Sequence, residues 1–193
     1  MSLSLLDWRR RTAELYAKVR SAHDGEAAWN EWRRGRDLLF SEHPDSPVDQ
    51  SSFQGLRYRP YDPAFRFVLP IIDTEPAHIE IPTATDGLIP FRRLGRVQLP
   101  GLGSLDVWWL ESYGGGMFLP VKDATCGRTS YGGGRYVLDT VKGADLGQID
   151  GELIIDLNFS YNPSCAYDPR WVCPLAAEGN VVQCDLDVGE LAP

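Results

Sequence analysis

The sequence predicts a mainly β protein of the α+β class, an antiparallel β-barrel or strongly bent sandwich that carries an N-terminal pair of helices. Three observations lead there. Apolar residues recur at helical spacing only near the start of the 193-residue chain. Beyond residue 50 the pattern changes to short β-rich runs separated by Pro and Gly, a spacing typical of antiparallel sandwiches and barrels. No helical stretch falls between those runs, which argues against a Rossmann-type or other α/β sheet. The expected division is a helical segment over 1–45 packed on a β-rich body over 46–193, the two forming one structural unit.

Ser4 followed by Asp7 resembles a capping box, and Leu5, Trp8, Leu15, Tyr16 and Val19 share a helical face, so the first helix starts there. A second is expected over 25–40, with Trp29, Trp32 and Leu39 on one side and Arg33, Arg34 and Arg36 spread over the rest. HPDSPVDQSS breaks it. The strand candidates are 56–61, 65–72, 78–81, 91–98, 105–111, 117–121, 135–138, 153–159 and 181–187. The sequence YGGG occurs twice, at 113–116 and 131–134, each time just before a strand candidate. Neither copy has the spacing of a phosphate cradle, so the glycines are read as turn residues with positive φ or as points of close strand approach.

Composition narrows the function classes. Hydrophobic residues at 43% and charged residues at 24% are ordinary for a soluble globular protein, and no apolar run is long enough to span a membrane. The charged N-terminus is the reverse of a signal peptide, which leads to a cytoplasmic expectation. Net charge is -8, yet residues 1–36 hold eight Arg or Lys against five Asp or Glu. A basic helical segment against an acidic body is one reading and simple solvation of basic helix faces is the other; neither is a nucleic-acid footprint. Four cysteines, Cys126, Cys165, Cys173 and Cys184, include no C-x-x-C pair, and His23, His43 and His78 all lie in the other half of the chain. No metal site or other cofactor is therefore expected, and the thiols are read as buried and inert unless the loop between Cys165 and Cys173 brings those two together.

The richest segment is 156–174, DLNFSYNPSCAYDPRWVCP. Pro163 and Pro169 forbid an ordinary helix, so an ordered irregular loop is expected to follow the strand that ends there. Period-two alternation along 153–160 sends Leu153, Ile155, Leu157 and Phe159 one way and puts Asp156 and Asn158 on the opposite face. That face is either solvent or the polar floor of an interior.

The segments SPV at 46–48, FQGLRYRPYDPAFRF at 53–67, KDATCGRTSYGGGRYV at 122–137 and IDLNFSYNPSCAYDPRWVCPL at 155–175 resemble the successive signatures of the bacterial and archaeal DUF1684 family. The resemblance implies a fold and a site location but no reaction. Family members continue after the second cysteine with CPLPPxEN, whereas Cys173 here is followed by PLAAEGN, which puts Asn180 at the family's asparagine with one residue shifted.

Together these readings place Asp123, Arg135, Asp156, Asn158, Tyr161, Asn162, Cys165, Tyr167 and Cys173 around one pocket. Arg135 is its anchor, either for a carboxylate or phosphate or internally for Asp156 or Asp123. The leading expectation is a pairing of Arg135 with Asp156 across neighbouring strands joined by a hairpin-like return over 139–151. Three functions stay open: binding of a small molecule, anions included, in a β-barrel pocket; an enzyme using Cys165 as nucleophile or Asp156 as general acid or base; and a structural or interaction domain, with a homodimer as a further partner.

Overall fold

A computed structural model describes residues 3–83 and 87–193. Helix α1 runs Leu3–Ser21 and α2 runs Gly25–Glu42, and the short link between them folds the pair back side by side. Asp24 starts α2 by accepting the Ala27 backbone N–H at 3.0 Å, which satisfies one of the four donors a helix start leaves free. Tyr16 of α1 and Trp29 and Trp32 of α2 are buried against the body, and the Trp32 ring meets Phe159 edge-on at 5.1 Å. That aromatic seam joins helices to sheets.

The body holds two antiparallel sheets. The larger has the order β2-β3-β4-β5-β6, formed by His78–Thr83, Gly87–Leu99, Gly103–Leu110, Met117–Val121 and Arg135–Asp139. The smaller has the order β1-β8-β7, formed by Arg66–Leu69, Glu152–Asp156 and Gln148–Ile149. Two backbone bridges tie the sheets together. Ile72 and Arg96 exchange hydrogen bonds of 2.8 and 2.9 Å, and Tyr136 and Tyr161 exchange two of 2.8 and 3.0 Å. Gly95 permits the first bridge, because a Cβ there would sit 2.5 Å from the Ile72 carbonyl oxygen. Among the described residues no strand pairing closes either sheet into a barrel. Inward-facing Val97, Leu99, Leu105, Val107, Leu119, Val121, Val137 and Ile155 fill the core between the sheets and the helices.

Several expectations need correction. Residues 56–61 and 181–187 are not strands; Tyr58 and Val181 make only isolated bridges, to Glu190 and Lys122. The C-terminal segment runs extended, but its carbonyls at Leu186, Val188 and Glu190 accept from the Arg135 side chain instead of from a neighbouring strand. The strand expected over 153–159 stops at Asp156, where the carboxylate accepts the Asn158 N–H at 3.0 Å and turns the chain into a 3-10 turn over Leu157–Phe159. Asp156 and Asn158 therefore meet through this turn and not through a shared strand face. Strands β6 and β8 lie in different sheets, so the segment between them does not make them neighbours. Arg36, read as one of the residues spread off the helix's apolar side, is buried.

Candidate functional site

The sequence-predicted residues separate into three buried polar groups and one cavity wall. In the first group Arg135, at 1% exposure, places Nη2 3.3 Å from Asp123 Oδ1 and directs Nη1 and Nη2 at the carbonyls of Leu186, Val188 and Glu190, while its Nε has no partner. The expected Arg135–Asp156 pair does not form. Asp123 instead collects the Thr125 hydroxyl at 2.6 Å and the backbone N–H groups of Thr125 and Leu186 at 3.2 and 2.9 Å. Burial works against the Asp123 carboxylate, but Arg135 and these donors prevail and hold its pKa below the usual value. Burial is also the main cause of a lowered Arg135 pKa, with Asp123 opposing it. Every oxygen and most donors here are committed to the protein's own chain, so this group clamps the C-terminal segment.

In the second group Asp156 pairs with Asn158, whose Nδ2 donates to Asp156 Oδ1 at 2.8 Å and to the Asp62 carbonyl at 2.8 Å, while Asn158 Oδ1 accepts the Asp62 N–H at 2.8 Å. The Trp29 indole donates to the Asn158 carbonyl at 2.9 Å. Asn158 is thus saturated. The nearest cation to Asp156 is Arg66, with Nε at 3.9 Å, too far to offset burial, so the Asp156 pKa rises to about 6. Asp156 borders a hollow shared with Tyr61, Arg66 and His23.

The third group centres on Glu190, which is fully buried. Arg36 Nη2 donates to Glu190 Oε2 at 2.8 Å, the Asn162 N–H donates to the same oxygen at 2.9 Å, and the Tyr167 hydroxyl donates to Oε1. The Arg36 guanidinium lies over Trp32, Phe40 and Tyr161 at 5.0, 5.2 and 4.9 Å from the ring centroids. Burial raises the pKa of Glu190, with Arg36 opposing it.

Directly beside this third group is a partly enclosed cavity of about 120 Å³. It lies at the seam between α1, α2 and the irregular loop, and its wall includes Trp8, Tyr16, Leu39, Phe40, Tyr136, Tyr161, Asn162 and Cys173. Of the residues expected in one pocket, Tyr161, Asn162 and Cys173 are here; Asp123 and Arg135 lie in the closed core, Asp156 and Asn158 on another side, and Tyr167 behind Glu190. Two of the lining residues carry a buried polar atom without a close hydrogen-bond partner, the Tyr16 hydroxyl and Asn162 Oδ1, the Trp32 indole N–H acting only weakly on the Tyr16 oxygen. Exposed Arg9 and Lys142 also line the cavity, and Lys142 Nζ is 3.5 Å from Asp139. Tyr16, Arg9, Arg36 and Lys142 were missing from the sequence-predicted set. Tyr16 was legible only as a helix-face aromatic, and nothing in the linear sequence brings residue 142 to residue 9.

Cys165 and Cys173 are half-buried, not buried, and the loop does bring them together: the Cys165 N–H points to Cys173 Sγ at 3.4 Å. Asn180 is a structural tie. Its side chain accepts from the Trp108 indole at 2.7 Å and donates to the carbonyls of Asp106 and Pro120 at 2.8 and 2.9 Å, linking β4 to β5. Gly134, in the second YGGG, has φ 88° and would set a Cβ 2.8 Å from the Val121 carbonyl, as the close-approach reading expects. Among the described residues no three His, Cys, Asp or Glu side chains gather as a metal site, and no helix is long and apolar enough to cross a membrane.

A helical hairpin held on two antiparallel sheets by a buried, ion-paired C-terminal segment defines a mainly β protein of the α+β class. The chain belongs to DUF1684, a family of proteins of unknown function, whose model matches residues 51–191. The motifs at 53–67, 122–137 and 155–175 all lie within that match. The solution NMR structure of an uncharacterised protein from Haloarcula marismortui is similar, with 30% sequence identity, a TM-score of 0.56, and coverage of 86% of this chain and 93% of that one. No curated protein matches the chain.

Proposed function

We propose that this protein binds a small anionic molecule in the cavity between the helix pair and the irregular loop. The observation that carries this reading is a cavity walled mostly by aromatic and aliphatic groups, two of whose lining residues, Tyr16 and Asn162, hold a buried polar atom, the hydroxyl and Oδ1, that lacks a close partner just behind the wall. Leaving a buried polar atom unpaired costs ~1–3 kcal/mol, so two at one cavity are an expense that a ligand recovers if it accepts from Tyr16 and donates to Asn162. Arg9 favours negative charge there, Lys142 being paired with Asp139 on the same lining, and aromatic walls favour a flat apolar body. The volume, about 120 Å³, is of the order that holds one six-membered ring. The occupant in this reading is a ring-sized carboxylate that also carries a hydrogen-bond donor. Tyr161 and Asn162 serve as binding residues, whereas Asp123, Arg135, Asp156, Asn158 and Tyr167 hold the walls in position.

Isothermal titration with 4-hydroxybenzoate, and with benzoate as the analogue lacking the donor, tests it. Saturable binding of the first is expected, with benzoate weaker and with Tyr16→Phe and Arg9→Ala each lowering affinity by roughly tenfold. Absence of saturable heat for both acids, or affinity unchanged in both variants, overturns the assignment.

A further inference from the structure

Cys165 and Cys173 form a site of a different kind. Pro163 sets up the 3-10 turn over Ser164–Ala166, and that turn directs the Cys165 backbone N–H at Cys173 Sγ from 3.4 Å. A sulfur that accepts a backbone N–H is favoured as the thiolate. Cys184 faces the opposite kind of partner: its Sγ is 3.7 Å from the Leu102 carbonyl, so that thiol is the donor. The Tyr131 hydroxyl stands 3.9 Å from Cys165 Sγ and closes the far side of the pair. Both sulfurs belong to residues lining an open groove of about 560 Å³ whose floor includes Ile79, Ile81, Val172 and Leu175, an approach suited to an apolar reagent.

We propose that Cys173 and Cys165 are a redox-active dithiol that reacts with organic hydroperoxides, Cys173 as the attacking thiolate and Cys165 as the resolving thiol. In the first step Cys173 sulfur attacks the distal oxygen of R–O–O–H. An S–O bond forms, the O–O bond breaks, the sulfur is oxidised by two electrons to the sulfenic acid, and the alkoxide leaves and takes a proton from water. In the second step the Cys165 sulfur attacks the sulfenyl sulfur. An S–S bond forms, the S–O bond breaks, and the departing hydroxide takes the Cys165 proton to leave as water. A cellular dithiol returns the two electrons and two protons. The electrostatics agree with these roles: hydrogen bonds from the Cys165 thiol and N–H, aided by Lys142 and opposed by burial, draw the Cys173 pKa down to about 6, while its negative partner and burial push the Cys165 thiol up. Cys173 also lines the cavity described above, so the disulfide would remodel one wall of it.

The test treats the full chain with stoichiometric cumene hydroperoxide and follows it by intact and peptide mass spectrometry. The expected product lacks two hydrogens, has lost two of its four free thiols, and contains a Cys165–Cys173 linkage that a dithiol reverses. In Cys165→Ser the sulfenic acid should persist on Cys173 and be captured by dimedone, and in Cys173→Ser neither capture nor disulfide should occur. Independently of any peroxide, iodoacetamide at pH 6 should label Cys173 roughly tenfold faster than Cys184, because thiolate fraction outweighs the lower intrinsic nucleophilicity at that pH. Equal labelling of Cys173 and Cys184 in the unmodified protein, or oxidation distributed evenly over the four thiols, overturns the proposal. Both readings use the native chain, so neither depends on the variants folding.

Discussion

Arg135 reaches Asp123 at 3.3 Å inside a core where the two side chains are 1% and 0% exposed, and the same guanidinium bonds three carbonyls of the C-terminal segment. One side chain thereby fixes β6, the 122–130 turn and residues 186–190. An arginine neutralised this way is not free to hold a ligand. Asp123 is likewise enclosed by Thr125, Ser130 and the Leu186 N–H.

Arg135→Ala strips the pair of its cation and leaves the Asp123 charge and three carbonyls without that partner. The expected loss is ~3–5 kcal/mol by urea unfolding, the range for breaking a buried pair on one side. Arg135→Lys should recover little of it, since a single ammonium does not span carbonyls at Leu186, Val188 and Glu190 together with Asp123. An unchanged unfolding midpoint for Arg135→Ala would show that the clamp contributes nothing to stability.

Asp156 supplies a pH signature. Its folded pKa is raised to about 6 by burial, above the ordinary carboxylate value. Between about pH 4 and 6 the folded state keeps this proton while the unfolded chain releases it, so the contribution is fully present below pH 4 and is lost as pH rises through 6. Asp123 has the opposite sign: its lowered pKa gives stability that is lost only as pH falls below the ordinary range. Asp156→Asn keeps an oxygen to accept from Asn158 and removes the charge. It should match the parent near pH 4 and exceed it by about 2–3 kcal/mol at pH 7.5, measured by urea unfolding across pH. A difference that does not change with pH would refute the assignment.

The fold was legible where the physics is local. Helical spacing located α1 and α2, and alternation bounded by Pro and Gly located β3 to β6 to within a few residues. Illegible were the places where a side chain takes the role of a neighbouring strand. Residues 181–187 have strand-like composition, yet the Leu186 carbonyl accepts from the Arg135 side chain and the Cys184 carbonyl from the Ala124 N–H of a turn; Asp156 ends its strand because its own carboxylate captures Asn158 N–H. Site residues followed the same rule. The loop at 156–174 announced itself through composition, but two acids within reach of one arginine cannot be ranked without knowing that β6 and β8 lie in separate sheets. Arg36 looked like a surface cation because its burial depends on Glu190, 154 positions away.

Asn180 exemplifies a buried amide with a complete set of partners. Asn180→Ala orphans the Trp108 indole N–H and the carbonyls of Asp106 and Pro120 at the junction of β4 and β5. At ~1–3 kcal/mol for each buried group left unpaired, a total loss of at least about 3 kcal/mol is expected. Asn180→Asp should not rescue it, because a carboxylate accepts from Trp108 but offers nothing to either carbonyl. Denaturation curves indistinguishable from the parent for both variants would mean water replaces the amide at no cost.

Tyr16 and Tyr58 provide a paired test of which hydroxyl the fold uses. Both rings pack against Trp32, at 6.2 and 5.6 Å between centroids, so removing either hydroxyl leaves similar aromatic burial. The Tyr58 hydroxyl accepts from Arg36 Nε at 2.9 Å and supports the Arg36–Glu190 pair. Tyr16 O–H has no close partner and only a weak interaction with the Trp32 indole. Tyr58→Phe should therefore cost ~1.5–3 kcal/mol, the range for a hydrogen bond to a charged group, whereas Tyr16→Phe discards an unpaired polar atom and should leave stability equal or higher by up to about 1 kcal/mol. Urea unfolding of the ligand-free variants reads this directly. If Tyr16→Phe proves as damaging as Tyr58→Phe, the Tyr16 hydroxyl has a partner within the fold, and the cavity loses the donor on which small-molecule binding rests.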